Sequence, residues 1–123
     1  MTPMEIPTDA EHRRVLLNDL VSGAATHLHL SKGIHLSALK AGEQLGLALQ
    51  IAPRVLQAGQ FQRVLERRFE QALAFDGCFV FSNAGGALIL WHPVVSTDIP
   101  LDQILSRLLS LAELEALDRH CNR

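Results

Sequence analysis

The hydrophobic pattern of this chain alternates between a period near 3.6 and a period of 2, and the changes divide it into helices and strands. The first helical window follows Met1–Pro7, a stretch with two prolines that reads as a loose arm. Thr8-Asp9-Ala10-Glu11 fits a capping box, in which the Thr hydroxyl and the Glu carboxylate satisfy orphan N–H groups reciprocally. Val15, Leu16, Leu17, Leu20 and Val21 then form a broad apolar face, and Gly23 ends the helix.

Strand patterning begins at Leu28. A two-residue turn at the first hairpin would mix its faces. A three-residue turn over Ser31-Lys32-Gly33, with Gly33 left-handed, pairs Leu30 with Ile34, His29 with His35 and Leu28 with Leu36, which separates leucine from histidine. Ala41-Gly42 marks the next turn and Glu43 to Ile51 the third strand, with Leu45, Leu47, Leu49 and Ile51 on one side. That loop places Leu47 opposite Leu36 and Leu49 opposite Ile34, and Pro53 stops the strand.

The second helix starts near Gln60. Phe61, Val64, Leu65, Phe69, Ala72 and Leu73 make its apolar stripe, and Gln62, Arg63, Glu66, Arg67, Glu70 and Gln71 its solvated side, with Gly77 after the last turn. Cys78–Phe81 and Ala87–Trp91 follow as a hairpin around Asn83-Ala84-Gly85-Gly86. Pairing Ser82 with Ala87 sets Phe81 against Leu88, Phe79 against Leu90, Val80 against Ile89 and Cys78 against Trp91. A third helix, capped by Asp98 or Thr97 with Pro100 in its first turn, carries Leu101, Ile104, Leu105, Leu108, Leu109, Leu111, Ala112, Leu114 and Leu117. That set is wider than one stripe, so this helix is deeply packed or partly offered to a partner. Residues 119–123 are expected to fray.

The order α-β-β-β-α-β-β-α predicts an α+β fold, an antiparallel twisted sheet with three helices, in one domain spanning residues 1–123. The second hairpin lacks the alternation of a strand pair with one wet face, so both of its faces need cover. Helices of the same chain can supply it; a second copy of the chain is the preferred expectation.

Composition narrows the classes. The chain has 123 residues and a net charge of −2 with no basic block, against a nucleic-acid footprint. Its two cysteines, Cys78 and Cys121, read as reduced thiols of a cytoplasmic protein. No signal-peptide core and no run of membrane-spanning length is present, so no membrane partner is expected.

Candidate chemistry is confined to histidine. His27, His29 and His35 share a sheet face in the chosen register, and His-x-His is a zinc-ligand spacing, but neither a fourth ligand nor a supporting carboxylate is evident. They are read as a His-rich polar strand face. His92 and His120 have no nucleophile or carboxylate arrangement beside them. The Asn83–Gly86 segment lacks the phosphate-loop lysine and joins two strands, and Cys78 reads as core. The expectation is no enzyme, no metal and no cofactor. The leucines of the first helix and first three strands outnumber what a small core needs, a sign of partner surface.

The element order, the length, the mildly acidic balance and the block Leu65-Glu66-Arg67-Arg68-Phe69-Glu70-Gln71-Ala72-Leu73-Ala74-Phe75-Asp76-Gly77-Cys78-Phe79-Val80-Phe81 resemble the class I chaperones of bacterial type III secretion, the Tir-chaperone-like group. The block is similar to the helix-Gly-Cys-strand segment of plant-pathogen effector chaperones. The Ala24-to-Leu36 hairpin, with Lys32-Gly33 at its tip, resembles the same group. The resemblance implies a homodimer, or failing that a heterodimer, joined through Phe61, Val64, Leu65, Arg68, Phe69, Phe79 and Phe81. It implies an effector N-terminal segment wrapped in extended form, kept soluble and competent for virulence-related secretion, with a secretion ATPase as a further partner. Leu17, Leu20, Leu28, Leu30, Leu36 and Leu47 are the expected effector-binding walls, where an added strand would seat apolar side chains. Two alternatives remain: a roadblock- or profilin-like dimeric scaffold binding a folded regulatory partner, and a metal-dependent enzyme using the histidine face.

Overall fold

The computed structural model describes residues 4–5, 10–94, 99–115 and 117. Helices α1 (Ala10–Ser22), α2 (Gln60–Glu70) and α3 (Leu101–Leu111) accompany strands β1 (Met4–Glu5), β2 (Leu28–Ser31), β3 (Ile34–Ala41), β4 (Gln44–Ile51), β5 (Phe79–Ser82) and β6 (Leu88–Pro93). The α-β-β-β-α-β-β-α order is therefore the one the sequence predicts, and the five longer strands pair antiparallel. Two residues of the expected N-terminal arm, Met4 and Glu5, add a short parallel strand beside Leu28 and His29. The rest of that arm, the capping-box residue Thr8, the expected caps Thr97 and Asp98, Cys121 and the 119–123 tail lie outside the described residues. The sheet runs β1-β2-β3-β4-β6-β5, so among the described residues β5 is a free edge.

One face of this sheet is the core. Leu28, Leu36, Leu47, Leu49, Ile51, Leu88 and Leu90 pack there against Leu16, Leu17 and Leu20 of α1 and Ile104, Leu105, Leu108 and Leu109 of α3. The wide apolar set of the third helix is thus accounted for by deep packing. Pro100 takes the cap position in extended conformation, one residue before the first turn in which it was expected, and so leaves the N–H groups of that turn undisturbed. Arg13 is completely buried between α1 and α3. Its Nε lies 2.5 Å from Asp102 Oδ1, and Nη2 donates to the Asp102 carbonyl and Ser106 Oγ, each at 3.3 Å. Nothing in the apolar period of α1 marks this residue, because a buried arginine needs a partner that comes from the far end of the chain.

Three registers differ from expectation, each because of its turn. In the first hairpin His29–His35 and Leu28–Leu36 pair as predicted, but Ser31 opposes Ile34, with a bulge between His29 and Ser31. The turn is Lys32-Gly33 alone, and the bulge at Leu30 absorbs the odd residue that a three-residue loop was invoked to explain. In the next pair Ala41 opposes Gln44 across Gly42-Glu43, which sets Leu36 against Leu49 and Leu47 against Ala38. This is a slip of two from the predicted pairing, and a slip of two keeps every side chain on its face. At β5–β6 the slip is one: Phe79 opposes Trp91, Val80 opposes Leu90 and Phe81 opposes Ile89. The cause is Asn83, whose Oδ1 accepts from Gly85 N and Ala87 N at 3.0 Å each and ties the 83–87 segment into a five-residue loop. A one-residue slip exchanges faces, so Phe79 and Phe81 turn away from the core while Val80 turns toward it.

The second helix is shorter than its pattern. It ends at Glu70, and successive turns lead through Phe75 to Gly77. Phe75 is buried in the core and carries the Arg67 guanidinium 5.6 Å from its ring centroid. Leaving the helix is what lets this ring reach the interior.

Candidate functional site

Helix α2 is rotated so that its apolar stripe is only partly used. Gln60 and Val64 are buried, and Phe61 leans on the core. Leu65, Phe69 and Leu73 point outward at 41%, 87% and 93% exposure. At about 100° per residue the buried face stands roughly a quarter turn from the centre of the stripe.

Polar contacts hold the helix in that orientation. Gln60 Nε2 donates to the Ala112 carbonyl at 3.4 Å, and its Oε1 accepts from Gln57 N at 2.9 Å. Arg63 pairs with Glu113 at 3.1 Å and Arg67 with Glu115 at 3.5 Å. Arg68 Nε donates to the Cys78 carbonyl at 2.8 Å, tying α2 to the start of the edge strand. The two ion pairs are solvated and contribute little to stability singly, about 0–1 kcal/mol each; together with the buried amide they fix the direction of the helix.

Between α2 and β5 lies a groove of about 410 Å³ lined by Leu65, Arg68, Phe69, Ala72, Cys78, Phe79 and Val80. Apolar surface continues around the edge strand onto the sheet face opposite the core. There Ala48, Ile89 and Trp91 form a small second cluster. The Trp91 indole lies across Gly46 and donates from Nε1 to the Leu39 carbonyl at 2.8 Å. Phe79 leans on it with ring centroids 5.8 Å apart, yet remains 59% exposed, and Phe81 and Leu39 are exposed beside it.

The predicted residues thus divide. Of the expected dimer set, Leu65, Phe69, Phe79 and Phe81 come together around the β5 edge with Arg68 among them. Val64 is a core residue and Phe61 packs against the core. The expected effector-binding set is placed elsewhere: Leu17, Leu20, Leu28, Leu30, Leu36 and Leu47 are all buried in the main core, away from this groove. Three helices closing over one sheet face consume the leucines that looked surplus. Leu73 and Leu39 were missed; Leu73 was in the stripe, but only its position beyond the helix end makes it protrude.

Cys78 is buried, and burial pushes its thiol up to about 11, against the opposing pull of Arg107 and Arg68. His92 is buried on the core face, its Nδ1 2.8 Å from the Pro93 carbonyl oxygen and its Nε2 turned toward Gly77. His27, His29 and His35 do share one face, with the His27 and His35 rings edge-on at 5.7 Å. Among the described residues no group of three His, Cys, Asp or Glu side chains is arranged to hold a metal ion. No helix among them is long and apolar enough to cross a membrane.

Fold and surface together define a small α+β protein whose sheet ends in an unfinished apolar edge. The model of the HrpV-like family matches residues 5–117, nearly the whole chain, and the protein belongs to that family, which is associated with type III secretion in plant pathogens. No curated protein and no solved structure matches the chain.

Proposed function

We propose that this protein is a cytoplasmic, chaperone-like component of a type III secretion system that works as a homodimer and holds an extended segment of a secreted partner, without cofactor or catalysis. The observation that carries this reading is the pair Phe69 and Leu73, 87% and 93% exposed beside the apolar groove between α2 and the free edge strand. Large apolar side chains in contiguous exposed patches mark partner surfaces.

The patch has two sides. On the α2 side, protruding Phe69 and Leu73 stand next to a groove lined by Leu65, Ala72 and Phe79. Knob and hole on one patch is the self-complementarity that a two-fold interface needs, so the second copy belongs here. On the open face, Phe79 and Phe81 of the edge strand and Leu39 of β3 border Trp91. An extended client segment adds a strand at such an edge, main-chain hydrogen bonds supplying affinity and apolar side chains the preference.

Light scattering on the purified chain tests the first part. A dimer is expected, and Phe69→Asp gives a folded monomer because the substituted side chain is solvated in the single chain. A wild-type monomer, or a Phe69→Asp protein that stays dimeric, sinks the interface. Crosslinking from position 81 to a co-expressed secreted protein tests the second part.

A further inference from the structure

The end of the open sheet face farthest from the aromatic patch carries a different surface, and we infer that it is an oxyanion-binding pocket. The pocket, about 460 Å³, is lined by Thr26, His27, His29, Gly33, Ile34, His35, Ser37 and Arg54. Its side-chain polar groups are three imidazoles, a guanidinium and two hydroxyls, so among the described residues the lining offers donors and no carboxylate. The register builds it. His29 and His35 are direct cross-strand partners, and His27, two residues before His29, stands on the same face with its ring edge-on to His35. Arg54 arrives from the 3-10 turn Pro53–Val55 that follows β4.

The His27 and His29 rings crowd His35 on one face. Burial lowers His35 below its ordinary value, His27 and His29 lower it further, and a hydrogen bond with Gln50 opposes them. An anion bridging the rings and Arg54 opposes that lowering, because a protonated His35 then has a counter-charge. The groups facing His35 are therefore His29 and His27, Gln50 from β4 and Arg54; Glu5 stands opposite His29 in the β1–β2 register. A cationic guanidinium in the lining favours an anion over a divalent metal.

The ligand is a phosphate or a carboxylate, and its source is either free phosphate or an acidic side chain of a bound polypeptide. The test is an NMR titration of the histidine ring protons of the full chain with inorganic phosphate, with acetate and with chloride, at pH 5.5 and pH 8. Saturable shifts of the His27, His29 and His35 ring signals are expected, with affinity about tenfold higher at the lower pH as His35 takes up a proton. Phosphate preferred over acetate marks a free-anion site; acetate preferred marks a docking point for an acidic side chain. Arg54→Ala and His29→Asn, both surface changes checked by circular dichroism, weaken binding at least fivefold. Shifts equal to those in chloride, or binding indifferent to Arg54, overturn the proposal. So does tight zinc binding that Glu5→Gln abolishes, which would make the cluster a metal site.

Discussion

The Trp91 indole lies against Gly46, and a Cβ at position 46 would stand 2.6 Å from the His92 carbonyl oxygen and nearer still to the ring. Glycine here is a packing requirement, since the indole must cross β4 to reach the Leu39 carbonyl on β3. Gly46→Ala is expected to cost about 1–3 kcal/mol through overpacking. Urea denaturation followed by circular dichroism measures it. Trp91→Leu in the Gly46→Ala background should recover part of the loss, and no recovery would mean the strain lies in the backbone instead.

Arg13 buries a full positive charge against Asp102, whose side chain is 39% exposed. Removing the guanidinium leaves a carboxylate that water can still reach, so the loss is smaller than for a wholly buried pair. Arg13→Ala should destabilise by about 2–3 kcal/mol, from lost packing and lost hydrogen bonds. A double-mutant cycle with Asp102→Ala should show strong coupling; additive effects would assign the loss to packing alone.

His92 and His35 set the acid side of stability. Burial pushes His92 below its ordinary value of 6.5; the Pro93 carbonyl opposes this, Arg107 adds to it, and the Asp76 carboxylate and backbone oppose it. A base whose folded value is depressed binds more protons when unfolded, so stability rises with pH through that window. The contribution is complete above about 6.5 and declines as pH falls below it. Melting temperature should therefore drop between pH 7 and pH 5, and His92→Gln should flatten that slope. An unchanged slope in the variant would place the titration elsewhere.

With its thiol raised to about 11, Cys78 holds a thiolate fraction on the order of a thousandth at pH 8. In a Cys121→Ser background, Ellman's reagent should leave the native protein essentially unlabelled and react at once in urea. Rapid labelling of the folded chain would show that the β5 edge opens readily.

The outward leucine and the inward one should separate cleanly. Leu17→Ala, in the core, is expected to cost about 2–5 kcal/mol. Leu73→Ser, at 93% exposure, should change the stability of the dissociated chain by no more than about 0.5 kcal/mol. Melts at several protein concentrations distinguish the two, since loss of an interface appears only where the dimer forms.

These residues also show what the sequence could and could not disclose. The element order was legible because the changes of period are sharp and Gly23, Gly42 and Gly77 stand at turns. The pairing of His29 with His35 was legible because only one register separates leucine from histidine on β2 and β3. Local pattern does not report a side chain that rewrites a turn, so Asn83 and the bulge at Leu30 shifted two registers unseen. Nor does it report which way an amphipathic helix faces. The stripe on α2 was real, but its orientation is fixed by Gln60, Arg63 and Arg67, whose partners lie some fifty residues away. The same blindness made core leucines resemble surface, because three helices closing on one face is a global fact.

The loop held by Asn83 has an odd number of residues between its strands, and this parity decides which side of the sheet the phenyl rings of β5 look toward. A single deletion between Ala84 and Gly86 would turn Phe79 and Phe81 inward and bring Val80 out. On the proposed reading, the edge strand's share in partner binding thus hangs on one peptide unit in a solvent-facing bend, far cheaper to alter than a core, and related chains that differ there by one residue should differ in the company that edge keeps.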